Sequence, residues 1–259
     1  MCLLVLAWQV HPRYRLILAA NRDEFHARPA APLGKWPDED ILAGRDLAAG
    51  GTWLGIDKER RFGVVTNFRE WPASQAGGPS RGRLIPDYLR GHEPPQSFVA
   101  SLKSAASEYA GFNLLVGDEH ELWYASNRAP DFARPLAPGV YGLSNQHLDT
   151  PWPKLTRVHQ RFEAWLNGAA PANARELLVM LDDRTPSAAS DNAYPADLAP
   201  AWRRALSAPF VLHPLYGTRC STALLLAASG AVHLIERRFD PAGDCSGETD
   251  VDLKSGAWL

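Results

Sequence analysis

Short apolar runs separated by polar turns predict that β-strands pair at the start, middle and end of the chain. Residues 3–10 are apolar and β-prone, residues 11–14 form a polar turn, and residues 15–20 are apolar again, which predicts a buried hairpin. Residues 27–36 contain three turn-forming residues and are expected to form an ordered loop: Pro29, Pro32 and Gly34. The remaining predicted strands lie at 52–56, 61–68, 112–116, 121–125, 141–145, 217–227 and 232–239.

Helical periodicity appears between these strand pairs. From Ser80 onward, one face of the first predicted helix carries the apolar residues Leu84, Ile85, Tyr88 and Leu89. Further helices are expected at 96–109, 174–181 and 198–206. A third helix in chain order is expected to have Thr150 as its cap and to end at Gly168, with an apolar stripe formed by Leu155, Val158, Phe162 and Leu166.

This order of elements predicts an α+β fold. The apolar runs are too continuous for half-exposed sheets, so two stacked antiparallel sheets covered by helices on their outer faces, a four-layer αββα sandwich, would bury them on both sides. The chain has 259 residues, of which 46% are hydrophobic, and this is enough for one substantial core. Because no linker of disordered composition interrupts the pattern, a single domain over residues 1–259 is the simpler interpretation.

Charge distribution, hydropathy and cysteine content limit the classes of partner, location and site that the sequence supports. The 27 basic and 29 acidic residues are scattered, so neither a nucleic-acid stripe nor a polybasic membrane anchor is indicated, and a small-molecule partner is expected. No apolar run approaches the length of a membrane span and no signal peptide is evident, which favours a cytoplasmic location. Three cysteines without CxxC spacing argue against a disulfide framework or a zinc site.

The second residue of the chain is the first candidate for chemistry. Met1 precedes Cys2, whose side chain is small enough for methionine removal, and removal gives Cys2 both a thiol and a free α-amine. The thiol is the nucleophile and the amine can act as its general base near neutral pH. The alternative is that Cys2 is a small buried apolar residue without a reaction.

A charged cluster follows the first predicted hairpin. In an antiparallel pair the end of the second strand returns beside the start of the first, so Asn21, Arg22, Asp23 and Glu24 are expected next to Cys2. Arg22 can lower the thiol pKa or bind an acidic substrate group, and either Asp23 or Glu24 can orient the α-ammonium group. The alternative is a solvated turn with a surface ion pair.

Three asparagines are the remaining polar candidates. Asn67 and Asn145 each end an extended segment, where an amide can donate to a developing oxyanion or simply form a turn. Asn113 lies between two apolar residues within a strand, and it needs either a buried partner or a role in the site.

Motifs along most of the chain resemble the NRDE family, whose eukaryotic members are called transport and Golgi organisation protein 2. The matches run in order from residue 1 to about residue 226 and include the Asn-Arg-Asp-Glu tetrad itself. They are Met1-Cys2, Asn21-Arg22-Asp23-Glu24-Phe25, Gly51-Thr52-Trp53-Leu54-Gly55, Thr66-Asn67, Gly111-Phe112-Asn113-Leu114, Leu143-Ser144-Asn145 and Gly217-Thr218-Arg219.

The resemblance implies an N-terminal-nucleophile hydrolase-like fold, related at a distance to cysteine acylases that cleave penicillin V and conjugated bile salts. It implies Cys2 as nucleophile, Arg22 and Asp23 as its activators, and Arg219 as a late supporting charge. The acylases separate their Arg and Asp by two residues, so Glu24 can take the place of Asp23. The other implied roles are oxyanion or amine contacts for Asn67 and Asn145, and substrate contacts for Asn21, Glu24 and Asn113.

Two functions follow from the resemblance. The first is hydrolysis of a non-peptide C–N amide bond through a thioester at Cys2, with no cofactor required. The second is a non-catalytic carrier of haem or acyl-coenzyme A, for which the candidate axial haem ligands are His26, His147 and His213.

Overall fold

A computed structural model describes residues 2–70, 78–168, 172–187, 194 and 197–259. Met1, whose removal the sequence predicts, lies outside them. The strands, in chain order, are β1 (Cys2–Trp8), β2 (Tyr14–Phe25), β3 (Ala30–Lys35), β4 (Ile41–Asp46), β5 (Leu54–Asp57), β6 (Phe62–Asn67), β7 (Phe112–Gly117), β8 (Leu122–Ser126), β9 (Ala133–Pro135), β10 (Gly139–Leu143), β11 (Leu212–His213), β12 (Tyr216–Ala227), β13 (Val232–Phe239) and β14 (Cys245–Leu253). The helices are α1 (Leu84–Arg90), α2 (Pro95–Leu102), α3 (Pro153–Leu166), α4 (Ala174–Leu181) and α5 (Pro200–Leu206).

The strands form two seven-stranded antiparallel sheets, and each belongs to one of two compact units. The first unit runs up to Ala27 and continues over Gly139–Ser144 and Leu148–Gly256. The second contains Arg28–Pro138, Asn145–His147 and Ala257–Leu259.

The sheet of the first unit has the order β10-β1-β2-β12-β13-β14, and β11 pairs with β12. Its helix-covered face is apolar because alternate residues of β1 and β2 point toward α3 and α4. The buried core of this unit includes Leu3, Val5, Ile17 and Ala19 from the strands and Leu155, Val158, Leu177 and Leu178 from the helices.

The sheet of the second unit follows chain order from β3 to β9, as expected when short turns join neighbouring antiparallel strands. Its core includes all four apolar residues predicted for the first helical face. Helix α1 packs against β5 and β6, where a Cβ on Gly63 would lie 3.1 Å from the Cγ2 atom of Ile85. Glycine at this position therefore allows close helix packing.

Three details of the sequence prediction are wrong. Residues 27–36 contain β3, because this is an edge strand whose ladder is interrupted between Ala31 and Gly34, and an edge tolerates Pro32 there. Helix α3 starts at Pro153 with Trp152 as its N-cap and without a side-chain cap, so Thr150 is not the cap. The second helix ends at Leu102, well before residue 109, and a short 3₁₀ turn follows at Ala106–Glu108.

Strands β4 and β14 and the short strands β9 and β11 have no counterpart in the sequence prediction. Strand β14 is rich in polar and partly exposed residues, so it lacks the apolar signal that marks the other long strands. Within the described ranges, no helix combines the length and apolar character that crossing a membrane requires.

Candidate active site

The register of the first hairpin brings the charged cluster to Cys2. Cys2 is the first residue of β1 and pairs directly with Arg22, while Leu3 pairs with Asn21. The cluster belongs to β2, which runs on to Phe25, and Asn21, Arg22 and Asp23 are buried. The alternative of a solvated turn with a surface ion pair is therefore wrong.

A polar row crosses the sheet on the face of the Cys2 side chain. Arg22 pairs with Cys2 on one side and with Cys220 on the other, and Cys220 pairs with Arg238. Directly paired residues point to the same face, so these side chains share one surface. Glu236 lies two residues before Arg238 on β13, is buried, and accepts a hydrogen bond of 3.3 Å from the Arg238 guanidinium.

The two cysteines of this row are separated by a whole strand. Two inter-strand steps of about 4.8 Å put their Cα atoms roughly 10 Å apart, beyond the reach of a disulfide. Both Cys2 and Cys220 are free thiols. Burial raises the pKa of the Cys220 thiol far above its ordinary value, and Glu236 raises it further, so Cys220 is a poor nucleophile.

A β-bulge at Arg219 organises the opposite face. Thr218 pairs with Asp23 and Cys220 pairs with Arg22, which leaves Arg219 as the extra residue of β12. Arg219 donates hydrogen bonds of 3.0 Å to the carbonyls of Phe25 and His26. Burial lowers its pKa, and the like charge of Arg22 lowers it further.

Asp23 is fixed by hydroxyl groups on the helix-facing side of the sheet. The Thr218 hydroxyl donates to Asp23 Oδ1 at 2.7 Å and itself accepts the Val211 N–H at 2.9 Å. The Tyr216 hydroxyl donates to the Asp23 carbonyl at 2.8 Å. Because the Val211 N–H occupies a lone pair of the Thr218 oxygen, the Thr218 proton is directed at Asp23, which is thereby held as an acceptor.

Lys154 is a charged residue of this region that was not predicted from the sequence. It is fully buried in the first turn of α3, and its charge is the largest influence that opposes the burial-driven rise in the pKa of Asp23. Its spacing gave a usable signal, because Lys154 lies four and eight residues before Val158 and Phe162 and so occupies the apolar stripe.

Asn21 is buried among backbone carbonyls, whereas Glu24 is partly exposed at the other end of the cluster. The Asn21 amide nitrogen donates to the carbonyls of Leu181 and Pro209, each at 3.0 Å, and its oxygen accepts from Ser221 at 2.6 Å. These bonds join β2 to β12 and to the end of α4, which is a structural role. Glu24 is partly exposed and accepts from the N–H of Phe25.

The Cys2 backbone is held from both neighbouring strands. Besides its pairing with β2, its carbonyl accepts a 3.0 Å hydrogen bond from Ser144 at the end of β10. Burial raises the pKa of the Cys2 thiol and Asp23 adds to the rise, whereas the positive chain terminus, Arg22 and the Asp23 N–H oppose it. The net shift is upward, so the thiol is protonated at neutral pH and needs a base.

Asn67, Asn113 and Asn145 form a separate group in the second unit. The Asn145 amide donates to the Asn67 carbonyl at 2.8 Å. Asn113 is buried, donates to the Gln146 carbonyl at 2.9 Å and accepts from the Tyr124 hydroxyl at 2.8 Å. Asn113 thus has the buried partners that its position requires, and it fixes residues next to Asn145. Catalytic roles for Asn67 and Asn145 remain predictions.

The three candidate haem ligands have packing partners. His26 Nε2 lies 3.0 Å from the His213 carbonyl, the His213 ring lies 4.0 Å from the Trp202 ring, and His147 contacts Phe68. Within the described part of the chain, no group of three or more His, Cys, Asp or Glu side chains is arranged to hold a metal ion. Haem or acyl-coenzyme A binding stays a prediction.

Comparison with known proteins decides the family. Residues 1–241 match the family model described as Transport and Golgi organisation 2. The chain belongs to this family. The bovine Transport and Golgi organization protein 2 homolog is 36% identical over 257 residues, which cover 92% of each chain. The Drosophila melanogaster protein of the family is 27% identical over 272 residues, which cover 94% of this chain and 95% of its own.

A solved structure extends this Transport and Golgi organisation 2 assignment to the fold. The C2A mutant of conjugated bile acid hydrolase from Clostridium perfringens matches with a TM-score of 0.53 and 8% identity, over 97% of this chain and 92% of that one. At this identity the likeness shows the fold alone. The predicted α+β class with two antiparallel sheets and the N-terminal-nucleophile hydrolase-like fold are thereby confirmed.

The thiols of this family member are expected to differ in their response to pH. Because the pKa of Cys2 is raised, its alkylation by iodoacetamide should accelerate about tenfold per pH unit between pH 7 and 9. Cys220 should remain unlabelled in the folded protein, and exposed Cys245 serves as the internal reference. Peptide mass spectrometry after timed labelling measures all three, and a Cys2 rate that is already level at pH 7 would contradict the assignment.

Proposed function

We propose that this protein is an N-terminal-nucleophile amidohydrolase that cleaves a non-peptide C–N amide bond through Cys2 after Met1 has been removed. The observation that carries the proposal is the position of Cys2, which starts an interior strand in direct register with buried Arg22. Asp23, the next residue of β2, influences the thiol through both its charge and its N–H. Cys2 is partly exposed, and its thiol, which is protonated at neutral pH, is suited to activation by a neighbouring base.

The α-amine of processed Cys2 supplies the base. It takes the thiol proton while the sulfur attacks the amide carbonyl, and the C–N bond breaks as the leaving nitrogen receives that proton. Water then attacks the thioester carbonyl, releases the carboxylic acid and restores the thiol. Arg22 and Asp23 act as activators of the thiol, and Arg219 is the supporting charge.

Moving the α-amine away from the thiol tests this mechanism. Inserting Lys after Met1 blocks methionine removal, whereas inserting Ala permits removal but places the amine one residue before the cysteine. Both variants are expected to lose acylation by a p-nitrophenyl ester about 10²–10⁴-fold, the range of general-base catalysis. Intact mass should show wild type without Met1 and carrying one acyl group on Cys2.

Alkylation by iodoacetamide at pH 9 is the control, because both insertion variants keep the thiol and should still be labelled. If either variant is acylated at the wild-type rate, the α-amine is not the base. Retention of Met1 in the natively expressed protein would also contradict the proposal.

A further inference from the structure

We propose that Lys154 is a positioning residue of the Cys2 site, the buried cation that keeps Asp23 as a carboxylate beside the first residue of β1. This role rests on the proposed hydrolysis, but the charge interaction between Lys154 and Asp23 can be tested without any turnover.

The position of Lys154 is unfavourable for a cation in two ways. Its side chain is only 1% exposed, so its ammonium group has lost most of its hydration. It also lies in the first turn of α3, next to Pro153, where the helix dipole is positive. A buried ammonium at a helix N-terminus is costly unless a negative charge lies nearby.

Asp23 is an acidic residue on the face of the sheet that α3 covers. Asn21 and Asp23 alternate with Arg22 along β2, so both side chains lie on the face opposite to Arg22. Asn21 identifies that face, because its amide reaches the carbonyl of Leu181 at the end of α4. Helix α3 packs against both α4 and β1 on this face, and Lys154 and Asp23 are each only 1% exposed, so both side chains are buried on the helix-covered side of the sheet.

The charges around Asp23 come from three elements. They are Lys154 on α3, Arg22 on β2 and the chain terminus before β1, with the Thr218 hydroxyl of β12 as a neutral donor. Burial raises the pKa of Asp23, and Lys154 opposes this rise more than any of the others. Removing the Lys154 charge therefore favours the protonated, uncharged form of Asp23.

Charge on Asp23 matters to Cys2 because Asp23 acts on the thiol through its carboxylate and through its backbone N–H. The backbone of a strand lies between the two faces of its sheet, so the α-amine of processed Cys2 is accessible from the Asp23 side while the thiol lies on the Arg22 side. An ionised Asp23 accepts a hydrogen bond from this amine and orients it. Lys154 balances the charge, so the amine gains an acceptor without a large net negative field that would keep it protonated.

A double-mutant cycle across pH tests the inference. Lys154→Met, Asp23→Asn and the double variant are compared with wild type by thermal unfolding from pH 5 to 8. In Lys154→Met the folded-state pKa of Asp23 is raised further above its unfolded value, so its folded form binds more protons and loses stability as pH rises. We therefore expect Lys154→Met to lower the melting temperature several degrees more at pH 8 than at pH 5. In the Asp23→Asn background the pH dependence of this loss should disappear.

Iodoacetamide labelling of Cys2 at pH 8 gives a second measurement that does not depend on hydrolysis. Lys154→Met should change the Cys2 labelling rate in the same direction as Asp23→Asn, with no further change in the double variant. Lys254→Met removes an exposed lysine of the same unit and should leave both readouts unchanged.

Each outcome either supports or contradicts a charge interaction between Lys154 and Asp23. If Lys154→Met does not fold while the double variant does, the charge pairing is supported. A loss of stability that is independent of pH and equal in the wild-type and Asp23→Asn backgrounds would show that Lys154 acts through packing alone, as would failure of both variants to fold. Loss of the proposed hydrolase function would instead appear as absence of acyl transfer with the stability coupling intact.

Discussion

Cys2→Ala is expected to abolish acyl transfer, with a loss of at least about 10³-fold in the rate of p-nitrophenyl ester turnover. The substitution removes the nucleophile but keeps a small side chain at the start of β1 and keeps the backbone groups that pair with Arg22 and accept from Ser144. The fold should therefore persist. Stopped-flow or steady-state release of p-nitrophenol measures the rate, and intact mass measures the trapped acyl group.

The other two cysteines provide matched controls. Cys220 lies in the same polar row as Cys2, and Cys245 is exposed. Neither Cys220→Ala nor Cys245→Ala should reduce turnover by more than a fewfold. Turnover that survives in Cys2→Ala and falls in Cys220→Ala would move the nucleophile to β12 and overturn the assignment. Turnover that survives in all three variants would exclude a cysteine nucleophile.

Asn21→Leu is expected to cost at least about 3 kcal/mol of unfolding free energy, because buried polar groups that lose a partner cost about 1–3 kcal/mol each. The substitution leaves the carbonyls of Leu181 and Pro209 without their donor and the Ser221 hydroxyl without its acceptor. Leu has the same branched arrangement of heavy atoms as Asn but larger terminal groups, so overpacking at this buried position adds to the loss of the hydrogen bonds. Urea unfolding followed by circular dichroism gives the free energy.

A second substitution separates the components of this loss. Adding Ser221→Ala to Asn21→Leu removes the stranded hydroxyl and should recover part of the lost stability, a coupling between contacting residues. Asn167→Leu, at an exposed position after α3, should change stability by less than about 0.5 kcal/mol. If Asn21→Leu and Asn167→Leu cost the same, the three hydrogen bonds of Asn21 do not contribute as proposed.

The pairing of Cys2 with the polar cluster of the candidate site was predictable from the sequence because it depends on one local rule. Two apolar runs joined by a short turn form a hairpin, and a hairpin puts the residues after its second strand beside its first residue. The consecutive polar residues from Asn21 to Glu24 looked like the end of β2, yet the strand continues through them to Phe25. Their burial is a tertiary property, set by Thr218, Ser221 and α4, and no local pattern encodes it.

The residues that complete the site come from distant parts of the chain. Lys154 is separated from Asp23 by more than a hundred residues, and its spacing in the apolar stripe of α3 indicates burial but not which acidic residue it faces. Glu236 joins the polar row only through the pairing of β12 with β13. Strand β14 has only two apolar residues beyond Cys245, Val251 and Leu253, so its alternation is too short and too polar to predict a strand of nine residues.

The bulge at Arg219 divides β12 between two environments. In a regular strand Thr218 and Cys220 would point to the same face, since alternate residues do. Because Arg219 is extra, Thr218 bonds Asp23 on one side of the sheet and Cys220 joins Arg22 on the other. If Arg219 were paired in a regular ladder, Thr218 would therefore face the other side of the sheet, and Asp23 would lose the hydrogen bond from the Thr218 hydroxyl. The single extra residue between Thr218 and Cys220 thus decides which face each side chain occupies, in addition to the chemistry of the side chains.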